Sequence, residues 1–526
     1  MTTSVRGGSW GRRGIRLLEG LPPLALIAAT LAIHDVRAAL ALPYWLDEAW
    51  VAASVRFPLG DLSAVTGSTP VGWTALLRLV PDVDDLRLVP IGFLVLSVLA
   101  GYALAAVPRW PSPAHRVVAG LVTGLAVALL PAQQVRHDLK QYTADATVAL
   151  LLLTVGGLVE ASYSRRRLGL LLATFTLGTL ISHPTVLVGG CVAGALVITA
   201  LVRGQRRQAV EAAVTGALML AVSAAAYVGL ARNGANGAME SFWEPFFPTF
   251  GQLPGFLGGR LTGLRPFLGM PWPLLLLLAA AGLVTVARSG RPALALAGAL
   301  LLPAGVLAGL AHRYPLLDLR TSHFLLVCLT AFAALGVVGI ATSAGGLLAR
   351  RSRAGATAVA AVLALATLGG YLWATADWLR FNGNDPELGV RVSATSEDTR
   401  RPTAYVWANR RPGDIVLVSG SAMFGFAFYW PERPGHRPDP NSAVGWRPTY
   451  ADDAIVVSGG RDPAAIHAAV LEAIGLADKS SPEAVVWVIR SHQSEEEKAA
   501  WKAEFADLTV RSTPSGREPA VRIVNW

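Results

Sequence analysis

Two adjacent carboxylates, Asp47 and Glu48, stand between Trp45 and Trp50, directly after the first long apolar segment of the chain. Ionised groups beside hydrocarbon are costly and persist mainly where chemistry or ion handling requires them. A carboxylate in this position can act as a general base, because partial burial raises its pKa toward neutrality. The segment Leu46 to Arg56 is predicted to form a short helix at the membrane surface, and a role for Asp47 as the N-cap of that helix is the alternative.

A second polar group precedes the fourth apolar segment. If a helix starts here, one of its faces carries four polar residues, namely Asp138, Gln141, Tyr142 and Asp145. Lys140 lies among them and is the only lysine before Lys479, in a chain whose basic residues are otherwise nearly all arginine. A single ammonium is a point charge that suits a phosphate ligand, and an interfacial lysine reaching toward lipid headgroups is the alternative.

Arg320 lies in a third polar segment, residues 312–323. An arginine fork can hold a phosphate through two parallel hydrogen bonds, with a lipid-headgroup contact as the alternative. Four more residues are predicted to line the same site: Tyr314 from the same segment, and His183, Trp243 and Glu244 from other segments. A structural role for the His183-Pro184 turn, and an interfacial aromatic belt around Trp243, are the competing explanations.

Metal and thiol chemistry find little support in the sequence. No H-E-x-x-H or comparable ligand spacing occurs, so no metal site is predicted, although Asp47 and Asp138 stay open as ligands of a divalent cation. Cys191 and Cys328 both lie in apolar segments, which predicts neither a disulfide nor a reactive thiol.

The composition indicates that membrane helices position these groups. Of 526 residues, 53% are hydrophobic and only 15% are charged, whereas soluble proteins carry about 25% charged residues. Apolar runs that approach the roughly 20 residues needed to cross a bilayer predict a polytopic α-helical membrane protein with about 11 transmembrane helices. The predicted spans are 17–37, 87–107, 117–135, 143–161, 168–182, 185–202, 209–230, 272–288, 292–311, 323–342 and 355–376.

Arginine clusters indicate the orientation of these spans. They occur at the N-terminus and in alternate loops, always on one side of the predicted spans. The positive-inside bias makes that side cytoplasmic, so the net charge of +10 reflects topology and not nucleic-acid binding. The outer side then receives the loop 42–86 and the other polar segments. A carboxylate pair, a lysine, an arginine and aromatic surface on one outer face suit a donor with a phosphate head and a lipid tail.

The last 150 residues differ in character from the rest. Short β-like runs alternate with helical patterns after the turn Pro412-Gly413-Asp414, which predicts a small α/β domain outside the membrane. No G-x-G-x-x-G or P-loop pattern occurs in this part of the sequence. We therefore divide the chain into a transmembrane catalytic domain, residues 1–376, and an extracytoplasmic α/β domain, residues 377–526.

These motifs resemble those of the GT-C superfamily of integral membrane glycosyltransferases, in particular the branch of protein O-mannosyltransferases and bacterial lipid A aminoarabinose transferases. Trp45-Leu46-Asp47-Glu48 is similar to the Trp-x-Asp-Glu motif of the first outer loop in that branch. The run Asp138 to Asp145, the turn His183-Pro184 and the loop Tyr314 to Arg320 resemble further motifs. Asp138 departs from the pattern, because many members have glutamate there, and its shorter side chain argues against a direct role.

The resemblance implies a GT-C fold in a bacterial cytoplasmic membrane. It implies transfer of a sugar from a polyprenyl-phosphate donor to an extracytoplasmic hydroxyl of a glycan, a glycolipid or a protein. Asp47 would be the catalytic base, Glu48 would support it or orient the acceptor, and Lys140 and Arg320 would bind the donor phosphate. A transporter or flippase of lipid-linked sugars is the alternative function, although ionisable residues would then be expected near mid-membrane. A catalytically inactive scaffold is a third possibility.

Overall fold

The computed structural model describes residues 9–34, 36–134, 138–231, 237–348, 353–379, 398–516 and 518–526. The helices before the C-terminal domain are α1 (Ser9–Ile33), α2 (Val36–Ala41), α3 (Leu46–Val55), α4 (Leu62–Val65), α5 (Val71–Leu77), α6 (Leu88–Ala106), α7 (Pro113–Ala128), α8 (Pro131–Gln134), α9 (Tyr142–Ala161), α10 (Arg165–Ile181), α11 (Thr185–Val202), α12 (Arg206–Ala226), α13 (Gly237–Trp243), α14 (Leu253–Gly263), α15 (Arg265–Leu268), α16 (Trp272–Arg288), α17 (Pro292–Leu310), α18 (His323–Leu348) and α19 (Arg353–Leu379).

Each of the predicted spans overlaps one or two of these helices. Among the described residues, 6 helices are long and apolar enough to cross a membrane, namely α6, α9, α11, α12, α17 and α18. Shorter apolar segments lie in α1, α7, α16 and α19. The chain is therefore a multi-pass helical membrane protein, as its hydropathy predicts, while the number of crossings and their orientation stay predictions.

The bundle has a clear inside and outside. In α9 and α18, 78% and 83% of the most apolar window is buried, whereas the value for α12 is 11%, so α9 and α18 are central and α12 is peripheral. Glycine permits the closest helix contact: a Cβ on Gly282 would lie 1.8 Å from the Phe332 carbonyl oxygen, and one on Gly336 would lie 2.1 Å from that of Leu278. Backbones of α16 and α18 thus meet directly, which is the usual use of small residues between membrane helices.

The C-terminal domain contains a mixed sheet with helices on both faces. Its elements are α20 (Arg400–Asn409), β1 (Ile415–Val418), α21 (Met423–Tyr429), β2 (Gly435–Pro438), β3 (Trp446–Thr449), β4 (Ile455–Val457), α22 (Pro463–Ser480), β5 (Val486–Ile489), α23 (Glu495–Glu504), β6 (Thr509–Ser512) and β7 (Val521–Asn525). The strand order is β4-β1-β5-β7-β6, with β1 parallel to β4 and β5 and the remaining pairs antiparallel. The predicted α/β character of the tail is confirmed.

The strands of this sheet are apolar on both faces because both faces are covered. Leu417 and Val488 pack with α22 and α23, while their neighbours Val418 and Trp487 pack with α20 and α21. Central parallel strands that are buried on both sides have this continuous apolar sequence. The division at residue 376 lies within α19, and residues 380–397 lie outside those that the structure describes, so the domain boundary stays a prediction.

The polar helix face considered for residues 138–145 does not form. The predicted span 143–161 agrees with α9 to within one residue, but residues 138–140 form a bend before the helix starts at Tyr142. The backbone of this bend is used in contacts with other segments: the Leu139 N–H donates to Glu48 Oε1 at 3.2 Å, and the Leu139 carbonyl accepts from Trp73 Nε1 at 2.6 Å. Asp138 therefore does not share a helix face with Tyr142.

Candidate functional site

The helix α3 carries Asp47 and Glu48 in its first turn. It begins after Trp45, whose N–H donates to Glu48 Oε2 at 3.3 Å, so Glu48 satisfies the free donor at the helix start. The two carboxylates of this turn therefore have different structural roles. The capping explanation for Asp47 is wrong, because its side chain turns toward cations on other segments.

Glu48 is buried in a pair with Arg87. Arg87 Nε donates to Glu48 Oε1 at 2.8 Å, its Nη2 donates to Oε2, and the Leu139 N–H adds a third bond to Oε1. The guanidinium also donates to the carbonyl oxygens of Ala39 at 2.9 Å and Pro43 at 2.8 Å. Charges buried at this depth persist only when they are paired and fully hydrogen-bonded. Glu48 thus fixes α3 against the start of α6.

Asp47 instead contacts two cations. Lys140 Nζ lies 3.1 Å from Asp47 Oδ2, and Arg320 Nη1 donates to the same oxygen. Lys140 is held from its other side by the Trp50 ring, with Nζ 5.1 Å from the ring centroid. The Arg320 N–H donates to Asp318 Oδ2 at 2.9 Å, which orders the loop that carries it. The structure therefore brings together three predicted site residues that are far apart in sequence.

The charge environment determines the ionisation of Asp47. Burial raises the pKa of this carboxyl, but Lys140 and Arg320 outweigh burial and hold the net pKa below its ordinary value of 3.8. His492 of the C-terminal domain acts in the same direction. The expectation that burial raises the pKa of Asp47 toward neutrality is wrong for this state, because nearby cations favour the charged form.

A pH prediction follows from this direction. A depressed pKa in the folded protein adds stability at neutral pH, and this stability is lost as the pH falls through that pKa. We expect the melting-temperature difference between wild type and Asp47→Asn to stay constant from about pH 8 to about pH 5 and to shrink only below about pH 4. Thermal scans at matched ionic strength measure it. A difference that has already vanished near pH 6 would contradict the assigned ion pairs.

A cavity of about 480 Å³ adjoins this cluster. It is lined by residues 67–71, Lys140, Gln141, Tyr142, Asp145, Thr179, Leu180, Ser182, His183, Val186, Ser223, Ala226, Tyr227, Leu230, Met239, Glu240, Trp243, Phe247, residues 312–315 and Thr321. Lys140 belongs both to this lining and to the Asp47 ion pair. The start of α9 and the ends of α10 and α12 contribute, so the cavity opens at one end of the bundle.

The cavity lining combines polar and apolar residues. Asp145 is buried in the first turn of α9, and His183 Nε2 donates to the Ser68 carbonyl at 2.8 Å, which leaves Nδ1 as an acceptor. Val186, Tyr227 and Leu230 of the same lining expose apolar surface. A polyhydroxylated group and a hydrocarbon chain could therefore share one cavity.

The predicted site residues divide into three sets. Tyr142, Asp145, His183, Trp243 and Tyr314 line the cavity. Asp47, Lys140 and Arg320 form the ion cluster beside it, and Asp138 acts electrostatically on Arg320. Glu48 and Glu244 are not in the cavity lining: Glu48 pairs with Arg87, and Glu244 begins a 3-10 turn, Glu244–Phe246.

The sequence interpretation missed several residues of the site. Glu240, His312 and Arg313 line the cavity, and Arg87 holds Glu48. A signal for Arg87 existed, since an arginine at the first position of the predicted span 87–107 is costly beside hydrocarbon and requires a partner. Glu240 carried no comparable signal in the sequence.

A divalent cation does not fit the predicted ligands. Asp47 already faces two cations, and Asp138 lies near Arg320, so a metal ion would meet positive charge at both positions. Among the described residues, no three His, Cys, Asp or Glu side chains come close enough to hold a metal ion. We therefore derive no step through a metal.

Comparisons with known proteins support the architecture. No protein-family model and no curated protein matches the sequence. The fold, however, is similar to that of two solved structures of ArnT. ArnT from Cupriavidus metallidurans bound to undecaprenyl phosphate aligns with a TM-score of 0.54 and 15% identity, over 95% of this chain and 97% of that chain. Its apo structure gives 0.51 and 14% over the same shares of each chain.

Proposed function

We propose that the protein transfers a sugar from a polyprenyl-phosphate-linked donor to a hydroxyl of an extracytoplasmic acceptor, with Asp47 as general base. The observation that carries this proposal is the double position of Lys140, which pairs with Asp47 at 3.1 Å and also lines the cavity. A phosphate on Lys140 would lie between the base and the cavity. The ArnT structure with bound undecaprenyl phosphate supports the same donor class.

The first step is an exchange of anions. Lys140 and Arg320, which hold Asp47 in the free protein, would take up the donor phosphate, because both side chains suit a phosphate oxygen. The sugar would occupy the cavity near its polar residues Asp145 and His183. The prenyl chain would leave past the exposed apolar side chains of α10, α11 and α12. An anionic phosphate beside Asp47 raises the pKa of that carboxylate and makes it a stronger base.

The transfer itself requires one bond to form and one to break. The acceptor oxygen bonds to the anomeric carbon while its proton moves to Asp47. The bond between the anomeric carbon and the phosphate oxygen breaks, and polyprenyl phosphate leaves with the electron pair. Lys140 and Arg320 stabilise the negative charge that develops on this leaving group.

The flippase alternative predicts a different arrangement of charge. Transporters place ionisable groups near mid-membrane, where both sides can reach them in turn. Here the cavity and ion cluster lie at one end of the bundle. The two functions separate in detergent: purified protein should release polyprenyl phosphate from a labelled donor when acceptor is added, whereas a flippase needs two compartments and would give no product.

Lys140→Gln tests the phosphate role. Loss of the ammonium should weaken binding of undecaprenyl phosphate by about 1.5–3 kcal/mol, or roughly 10- to 150-fold, because a charge-assisted contact is lost. Titration of the purified protein in detergent measures the affinity. Lys498→Gln is the matched control, since Lys498 is an exposed lysine of the C-terminal domain that pairs only locally with Glu495. Equal affinity in wild type and Lys140→Gln would remove Lys140 from the donor site.

A further inference from the structure

The C-terminal domain contacts the helix that carries the base. Residues of α3 and its flanks form one hydrophobic cluster with α21, in which Trp50, Phe57, Phe428 and Trp446 are buried. The Phe57 and Trp446 rings meet edge to face with centroids 5.2 Å apart. The C-terminal domain therefore packs directly against α3 and forms one wall around it.

Arg56 makes the polar part of this contact. It is the C-cap residue of α3, and its Nη1 donates to the carbonyl oxygens of Ala427 at 2.9 Å and Phe428 at 3.0 Å, and also to that of Trp430. Nη2 donates to the Pro431 carbonyl at 3.0 Å. The last carbonyls of a helix lack partners within the helix and carry partial negative charge. One guanidinium thus satisfies the end of α21.

A second polar anchor lies on the other side of Asp47. The Tyr44 N–H donates to the Tyr429 hydroxyl at 3.0 Å, and the Tyr44 ring meets the Phe428 ring at a centroid distance of 5.3 Å. Tyr44 and Arg56 flank α3 at its two ends, and both partners come from the end of α21. Glu48 holds the same helix on the membrane side through Arg87.

We propose that α21 is a positioning element for Asp47, acting through Arg56 and Tyr429. The Glu48–Arg87 pair holds the first turn of α3, and the bonds of Ser54 to the Val65 carbonyl and of Arg78 to the Val55 carbonyl hold its last turn within the same loop. The two anchors on α21 hold this ten-residue helix from the side of the C-terminal domain, and together with those bonds they set the angle at which Asp47 meets Lys140 and Arg320. The domain is thereby part of the catalytic arrangement without touching the substrate. This inference rests on the proposed function.

Arg56→Gln and Tyr429→Phe remove the two anchors and leave the ring packing in place. We expect the double variant to bind undecaprenyl phosphate within about threefold of wild type, while kcat falls on the order of tenfold to a hundredfold, as for a misplacement of about 1 Å. Arg56→Lys should recover part of the loss, since an ammonium can still reach some of the carbonyls.

The pH profile separates positioning from general destabilisation. Three charged groups act on Asp47, namely Lys140, Arg320 and His492. If α3 turns, Asp47 leaves the two cations, so the acid limb of kcat/KM should move to higher pH in Arg56→Gln. A smaller amount of folded protein would instead lower activity equally at every pH. His492→Gln, measured in the same series, shows whether the limb belongs to His492.

Arg410→Gln is the matched control. Arg410 lies inside the same domain, where it pairs with Asp452 at 2.9 Å and stacks on Trp430 with its guanidinium carbon 5.0 Å from the ring centroid. Its loss should lower thermal stability but leave the acid limb in place. If Arg56→Gln fails to fold, Tyr429→Phe alone carries the test. If wild type is active and the folded variants keep its kcat and its pH profile, the inference is overturned. If wild type forms no product, the proposed function is overturned instead.

Discussion

Asp47→Asn is expected to lower transfer on the order of 100- to 10,000-fold, the usual contribution of a general base. The amide keeps the size of the side chain but cannot accept the acceptor proton. Binding of undecaprenyl phosphate should become tighter, because Lys140 and Arg320 no longer neutralise a competing carboxylate. Turnover of a labelled donor and titration with undecaprenyl phosphate measure the two effects in one preparation.

Slower transfer together with tighter donor binding distinguishes loss of the base from loss of the fold. A variant that had simply lost its fold would bind the donor less well. Asp61→Asn is the matched control, because Asp61 lies in the same loop 42–86, is partly exposed, and has its carboxylate 3.9 Å from His436. Full activity in Asp47→Asn would exclude Asp47 as the base, and weaker donor binding would contradict the proposed exchange of anions.

Arg87→Ala is expected to give the largest loss of stability, about 3–5 kcal/mol. The substitution leaves Glu48 charged and buried, and it removes the donors to the carbonyls of Ala39 and Pro43. Thermal unfolding in detergent at a fixed scan rate measures the effect. Activity should disappear with the fold, since α3 loses its attachment on the membrane side.

The double variant Glu48→Gln with Arg87→Met tests the cause of this loss. With no charge left in the pocket, much of the stability should return, because the main cost of breaking a buried pair is the stranded charge. Arg116→Gln, at an exposed position in α7, is the control and should leave the melting temperature almost unchanged. A double variant no more stable than Arg87→Ala would show that geometry, and not charge, dominates at this position.

Hydropathy and residue period were sufficient to predict the helical and α/β parts of the chain. The apolar runs predict α6 or α18 because burial in lipid demands them, and the run Ile415 to Ser419 predicts β1 because both faces of its sheet are covered. The start of α9 agrees with the predicted span 143–161 to within one residue, but the helix face that would begin at Asp138 does not form. The backbone before α9 instead bonds to Glu48 and Trp73, which are distant in sequence and cannot be inferred from a local pattern.

The candidate site, like the fold, could be predicted only in part from the sequence. Residue type and motif order predict Asp47, Lys140 and Arg320 as site residues. The structure places Lys140 and Arg320 in contact with Asp47, although the roles of these residues stay predictions. The sequence indicates that Arg87 needs a partner, but it does not identify Glu48 as that partner, and it does not show the anchors of α3. These contacts join a loop, a predicted span and a distant domain, and a periodic sequence pattern does not predict contacts of such long range.

The distances along the chain between these partners have a consequence for assembly. Lys140 follows Asp47 by 93 residues, Arg320 follows it by 273, and Ala427 follows Arg56 by 371. Chains are made from the N-terminus and their domains fold in that order. Asp47 is therefore synthesised long before the cations that neutralise it, and the contacts between α3 and α21 can form only after the C-terminal domain has been made. Translation that stops early would leave an inserted bundle without a finished site.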